Sequence, residues 1–141
     1  MIMKAKLMQL DGLTLMGRSE TGHWVPMDAP ADLGGNGAGP RPMELMLIGI
    51  AGCAAMDIIA ILKKKKVDLR SFEVNVEADR SDEHPQLFKK INFNYAVSGK
   101  NIQAKDVERA IELTDSKYCG AIENVRGSSE IVHNFTIKEV D

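Results

Sequence analysis

Three side chains in this sequence combine reactive chemistry with an unusual setting: Cys53 and Asp57 within the apolar run "ELMLIGIAGCAAMDII" (Glu44 to Ile59), and Cys119 within "SKYCG". The thiolate, not the thiol, is the nucleophile and metal ligand, so the question at each cysteine is what would stabilise its charge. Cys53 sits about three turns past the start of a helix, beyond useful reach of the N-terminal dipole. Asp57 lies four residues on, on the same helix face, where a carboxylate raises a thiol's pKa. Local physics therefore reads Cys53 as a small buried hydrophobe. Cys119 lies between two helical stretches and beside Lys117, where amide groups and a cation favour the thiolate. An acid in so apolar a run needs a partner, and Arg18, Arg41, Arg126 and His23 are the cations or donors outside the lysine run. The plainer alternative is that Asp57 reaches solvent or a backbone N–H.

Other chemistries are disfavoured. The two cysteines are far apart, with no C-x-x-C and no Cys/His cluster, which excludes a zinc ribbon and a thioredoxin-type motif, and no metal is expected. In a reducing compartment a structural disulfide between them is not expected either. His84, in a loop, and His133, on a late strand, are expected at the surface, and the eight methionines as core filler rather than a copper site. Gly34-Gly35-Asn36-Gly37 lacks the G-K-[ST] of a phosphate-binding loop. The stretch Asp28 to Pro42, with four Gly and three Pro, reads as a flexible linker or, less simply, as a loop covering a site. A net charge of −2 provides no basic field, so nucleic acid and anionic lipid are poor partners. Met1 to Lys6 is not followed by the apolar segment and cleavage site of a secretory signal, and a cytoplasmic location is expected.

The elements that must position these residues follow from periodicity. With 141 residues, 44% hydrophobic and 27% charged, the chain has the composition of a folded protein and the length of one domain, 1–141. The run Leu45 to Leu62, followed by four lysines, resembles a membrane span with a positive flank. It is of minimum length, has no aromatic belt, and carries an acid costing about 2.5 to 3.5 kcal/mol near a bilayer centre, so a buried core helix is the better reading. Pro42 suits its first turn, Glu44 its positive end, and the lysines its negative end. Gly49 and Gly52 would each cost about 0.8 to 1.0 kcal/mol relative to alanine, which implies close approach of another backbone. Met1 to Gln9, Leu13 to Met16 and His23 to Met27 form a three-stranded meander separated by turn signals. Phe72 to Ala78 and Ile91 to Val97 alternate strictly and predict a hairpin. Ala104 to Lys117 predicts an amphipathic helix, Ala121 to Val125 a short one, and Ile131 to Val140 a final strand. This order is α+β. A helix with no polar face, among so few elements, calls for a second subunit to cover it.

"GPRPMELMLIGIAGCAAMDIIAILKKKK" (Gly39 to Lys66) followed by "AIELTDSKYCGAIENV" (Ala110 to Val125) resembles the OsmC/Ohr family of hydroperoxide-reducing proteins. The resemblance rests on the order of elements over nearly the whole chain and on the placement of the two cysteines. It implies an intertwined homodimer with the helices packed centrally and active sites at the subunit interface. It also implies a thiol-dependent peroxidase, active in oxidative-stress defence, that reduces small apolar organic hydroperoxides without metal or organic cofactor. Cys53 would be the peroxidatic thiol and Cys119 the resolving one, with an external dithiol as reductant and Met46, Ile50 and Met56 as an apolar wall. Peroxidases of the family hold an arginine of the N-terminal strands against a glutamate directly after the helix-initiating proline. Here Met43 takes that place, Glu44 follows it, and Arg18 is the only arginine in those strands, so Arg18, Glu44 and Asp57 are the orienting or activating candidates. Cys119-Gly120 stands where peroxidase subtypes often carry Cys-Pro. The alternative function is a non-catalytic binding protein holding an apolar or acyl ligand in the interface cavity.

Overall fold

The computed structural model describes residues 1–141 and is α+β, with two three-stranded sheets and three α-helices. The chain groups into two compact units, Met1–Met46 and Leu47–Asp141.

The first unit holds the meander: β1 (Ala5–Asp11), β2 (Thr14–Ser19) and β3 (Trp24–Met27), antiparallel in the order β1-β2-β3. Every residue of β1 is exposed, Leu7 and Leu10 included. The glycine-rich stretch after β3 is not a flexible linker; it is wound around one carboxylate. Asp28 is buried, and its Oδ2 accepts hydrogen bonds from the Thr14 hydroxyl at 2.7 Å and from the N–H groups of Asn36 and Ala38, while Oδ1 accepts from the Ala29 N–H. These donors, the Thr14 hydroxyl foremost, hold the carboxyl below the usual range. Gly35 is required here: a Cβ would stand 1.8 Å from the Ala29 carbonyl oxygen. The sequence pattern registered loop composition but not the buried acid that organises the loop.

Helix α1 (Pro42–Lys64) starts in this unit and continues into the second. Its N-terminus is closed by Glu44, whose Oε1 accepts the Arg41 backbone N–H at 2.8 Å, one half of a capping box. At the other end the Lys66 N–H donates to the Lys63 carbonyl and the Val67 N–H to the Leu62 carbonyl, with Lys66 at φ 61. That is a Schellman closure with lysine in the left-handed position.

In the second unit, β4 (Asp68–Arg80) and β5 (Phe88–Lys100) form the expected hairpin, and β6 (Glu130–Glu139) pairs parallel to β5. Parallel neighbours need a crossover, supplied by α2 (Ala104–Leu113) and α3 (Gly120–Arg126). Central β5 alternates buried and less buried residues, and its Ile91, Phe93, Tyr95 and Val97 are buried, as are Ile58, Leu62, Val107 and Ile122 of the helices. The helix predicted to run to Lys117 leaves α geometry after Leu113, because Thr114–Tyr118 widens into a π turn in which the Cys119 N–H reaches back to the Thr114 carbonyl at 2.8 Å. Single π turns of this kind occur frequently at functional sites.

Within the chain α1 buries one face only. Ile50, Ala54, Ile58 and Leu62, at successive i+4 steps, are at most 3% exposed, whereas Ile48 is 60% and Met56 74% exposed. Beyond the adjoining residues and backbone of α1 itself, nothing lies within 4 Å of a Cβ placed on Gly49 or Gly52, so the close approach predicted there is not made by another element of the chain. By length and composition alone α1 could cross a membrane, as could the core helix of a soluble protein.

Candidate functional site

Helix geometry places Cys53 and Asp57 on one face of α1. Cys119 arrives from the other side of the sequence: it follows the π turn and caps α3, its Sγ accepting the Ile122 N–H at 3.4 Å. The result is a cluster in which the two sulfurs and a carboxylate oxygen of Asp57 all lie within 4.8 Å of one another. Both cysteines are free, Cys119 buried and Cys53 partly exposed.

The electrostatics overturn the local reading of Cys119. Burial pushes its thiol up to about 11; the Ile122 N–H opposes this, and the adjacent Cys53 thiol adds to it. The amides predicted to favour the thiolate are present, but desolvation outweighs them. Lys117 does not help, since its ammonium lies over the Tyr118 ring, 5.3 Å from the centroid.

Asp57 does have an unmet need. Its Oδ2 is buried and accepts no hydrogen bond, so this oxygen reaches neither solvent nor a backbone N–H. Of the cations considered for it, Arg126 is committed elsewhere, to Glu123 at 2.8 Å and to the carboxylate and carbonyl of Asp115. The helix face bearing Asp57 continues into a cavity of about 480 Å³ lined by Ala60, Ile61, Leu113 and Tyr118, with Lys64 and Lys65 among its lining residues.

Arg18 and Glu44 belong to the first unit. Arg18 stacks its guanidinium over Trp24 at 5.3 Å, and no carboxylate pairs with it. Glu44 is the helix cap described above. Ile50 is buried, but Met46 and Met56 are exposed and form no wall within the chain.

Sequence reasoning missed His133, which is not a surface residue. Its Nε2 meets Asp115 Oδ1 at 2.8 Å, its Nδ1 meets the Tyr95 hydroxyl at 2.9 Å, and its ring stacks on Phe93. Arg126, Asp115, His133 and Tyr95 thus form a chain that pins the π turn leading to Cys119. The Tyr95 hydroxyl is held protonated by burial, with the charges of Cys119 and Asp115 adding to it. One signal was available: His133 is in phase with Ile131, Phe135 and Ile137 along β6.

The profile of the OsmC-like protein family matches residues 34–134. Protein YhfA of Escherichia coli strain K12 is 34% identical over 135 residues, spanning 96% of this chain and 98% of its own. A solved protein of Aquifex aeolicus VF5 superposes with a TM-score of 0.88 at 23% identity, over 100% of this chain and 99% of that one. An organic hydroperoxide resistance protein OsmC from Legionella pneumophila superposes with a TM-score of 0.72 at 17% identity, over 96% and 97% of the two chains. At such identities the two structures speak for the fold alone.

Proposed function

The chain belongs to the OsmC-like protein family, and from that premise we propose that it is a cysteine-based peroxidase for small apolar organic hydroperoxides, acting in oxidative-stress defence in the cytoplasm. The observation that carries the reading is the cluster of two free thiols and one carboxylate within 4.8 Å.

Cys53, the more accessible thiol, attacks first. Asp57, with an oxygen free of donors, takes the thiol proton as the sulfur attacks the distal peroxide oxygen, and returns it to the departing alkoxide. The O–O bond breaks, sulfur is oxidised to the sulfenic acid, and the peroxide leaves as an alcohol. The Cys119 sulfur then displaces hydroxide from the sulfenic acid; a disulfide forms and water leaves. Closing the S–S bond from 4.8 Å or less to about 2.05 Å brings the sulfurs together by at most about 2.8 Å. An external dithiol reduces the disulfide by exchange. Arg18 and Glu44 are retained as orienting candidates from the first unit. The working unit is a homodimer, with the exposed Ile48, Met56 and Ile59 of α1 and the half-buried Gly52 among them as its seam; the open space at Gly49 and Gly52 supports this.

The test is the mass of the reduced protein after brief exposure to cumene hydroperoxide. Wild type loses two hydrogens; Cys119→Ser consumes one equivalent and retains one oxygen; Cys53→Ser consumes none. The cavity beside Asp57 favours a second reading, a binding module for an apolar or acyl ligand. Unchanged mass in all three proteins selects that reading and refutes the first.

A further inference from the structure

The thiol pair and its carboxylate have the donor set of a metal site that no sequence motif announces. Cys53 and Asp57 stand at i and i+4 on α1, the spacing by which one helix presents two ligands to one ion. Cys119 supplies a third donor from the cap of α3, and the three donor atoms lie within 4.8 Å of one another. The independent observation is Asp57 Oδ2: a buried carboxylate oxygen with no hydrogen-bond donor is costly to leave unpaired. Neither lysine that lines the adjoining cavity relieves it, and Lys65 instead pairs with Asp106 at 3.5 Å.

We propose that Cys53, Asp57 and Cys119 bind one Zn²⁺ per chain, with a fourth position left for water or an external thiol. Two sulfurs and one oxygen suit a borderline cation of tetrahedral habit, whereas Mg²⁺ and Ca²⁺ require oxygen shells of six or more ligands. With Zn–S near 2.3 Å and Zn–O near 2.0 to 2.2 Å, a tetrahedral ion wants donors about 3.5 to 3.8 Å apart, so donors within 4.8 Å of one another need to close by at most about 1 Å. The Ile122 N–H, which donates to the Cys119 sulfur at 3.4 Å, acts as an outer-shell partner that fixes the ligand. Because the metal takes both sulfurs, zinc occupancy and disulfide formation exclude each other. The ion therefore masks the thiols rather than serving the reaction.

Zinc binding is measured on the reduced full chain without peroxide, so its outcome is independent of the peroxidase reading. Competition against a chromogenic chelator is expected to give one Zn²⁺ per chain. Each of Cys53→Ser, Cys119→Ser and Asp57→Asn should weaken it by at least the roughly 10- to 100-fold that loss of an outer-shell partner costs. Co²⁺ in place of zinc should give a thiolate-to-metal charge-transfer band that is reduced in either cysteine variant, which keeps one of the two thiolates. In wild type, Zn²⁺ but not Mg²⁺ should protect both thiols from iodoacetamide, a readout that stands even if a variant fails to fold by circular dichroism. Substoichiometric binding, binding unaffected by all three substitutions, or absence of thiol protection overturns the proposal.

Discussion

The burial of Cys119 makes a quantitative prediction about which thiol reacts first. At pH 7 a thiol raised to about 11 is ionised to roughly 1 part in 10⁴, against roughly 1 part in 10² at the ordinary value of 9.0. That hundredfold deficit is partly offset, because a more basic thiolate is a better nucleophile: with a Brønsted slope of about 0.4 to 0.5, the gain is about tenfold. Cys119 in the folded, reduced protein should therefore react with iodoacetamide about tenfold more slowly than an ordinary thiol, and more slowly still because it is only 3% exposed. The same cysteine in urea-unfolded protein serves as the internal reference. Pulse alkylation from pH 6 to 10, with each cysteine quantified by peptide mass, should give a Cys119 rate that climbs about tenfold per pH unit throughout, because the whole range lies below its pKa. If Cys119 is alkylated at pH 7 as fast as its unfolded reference, or its rate levels off below pH 9, burial does not govern this thiol. Its helix-cap position would then make it the first nucleophile.

Three further outcomes are expected. Gly52→Leu fills the space that the chain leaves open at this glycine and should overpack the proposed dimer seam by about 1 to 3 kcal/mol, shifting sedimentation toward monomer; a stable wild-type monomer at micromolar concentration would contradict the dimer. Arg18→Ala should slow the first oxidation step about 10²-fold, the effect of losing about 2.7 kcal/mol of activation, whereas an unchanged rate would leave Arg18 only its stacking on Trp24. The Asp28 carboxyl lies below its ordinary value when folded, so its stabilisation is fully present above the unfolded pKa of about 3.9 and is lost as pH falls through the folded one. The thermal midpoint should accordingly drop below about pH 4, and Asp28→Asn should flatten that part of the profile.

What the sequence determined by itself was local. Pro42 and the lysine run bounded α1 because a helix end is specified by residues within one turn of it, and the alternation of β4 and β5 was legible because a strand's period is two. The pairing of Cys53 with Asp57 on one face was likewise settled by the i, i+4 geometry of a helix. The family resemblance supplied the two-cysteine constellation, and the fold bore out the element order. What only the tertiary structure decided was everything that depends on desolvation or on contacts between residues distant in sequence. The proton affinity of Cys119 reversed from the local expectation because the core packed around it removes water, an effect invisible in its neighbours Lys117 and Gly120. His133 was drawn inward by the parallel pairing of β6 with β5, which sets it opposite Phe93 and within reach of Tyr95 and Asp115. Asp28 looked like one more polar loop residue until Thr14, Asn36 and Ala38 closed around it. A third donor beside Cys53 and Asp57 exists only because a crossover and a π turn carry Cys119 back to α1, a distance that no spacing along the chain encodes.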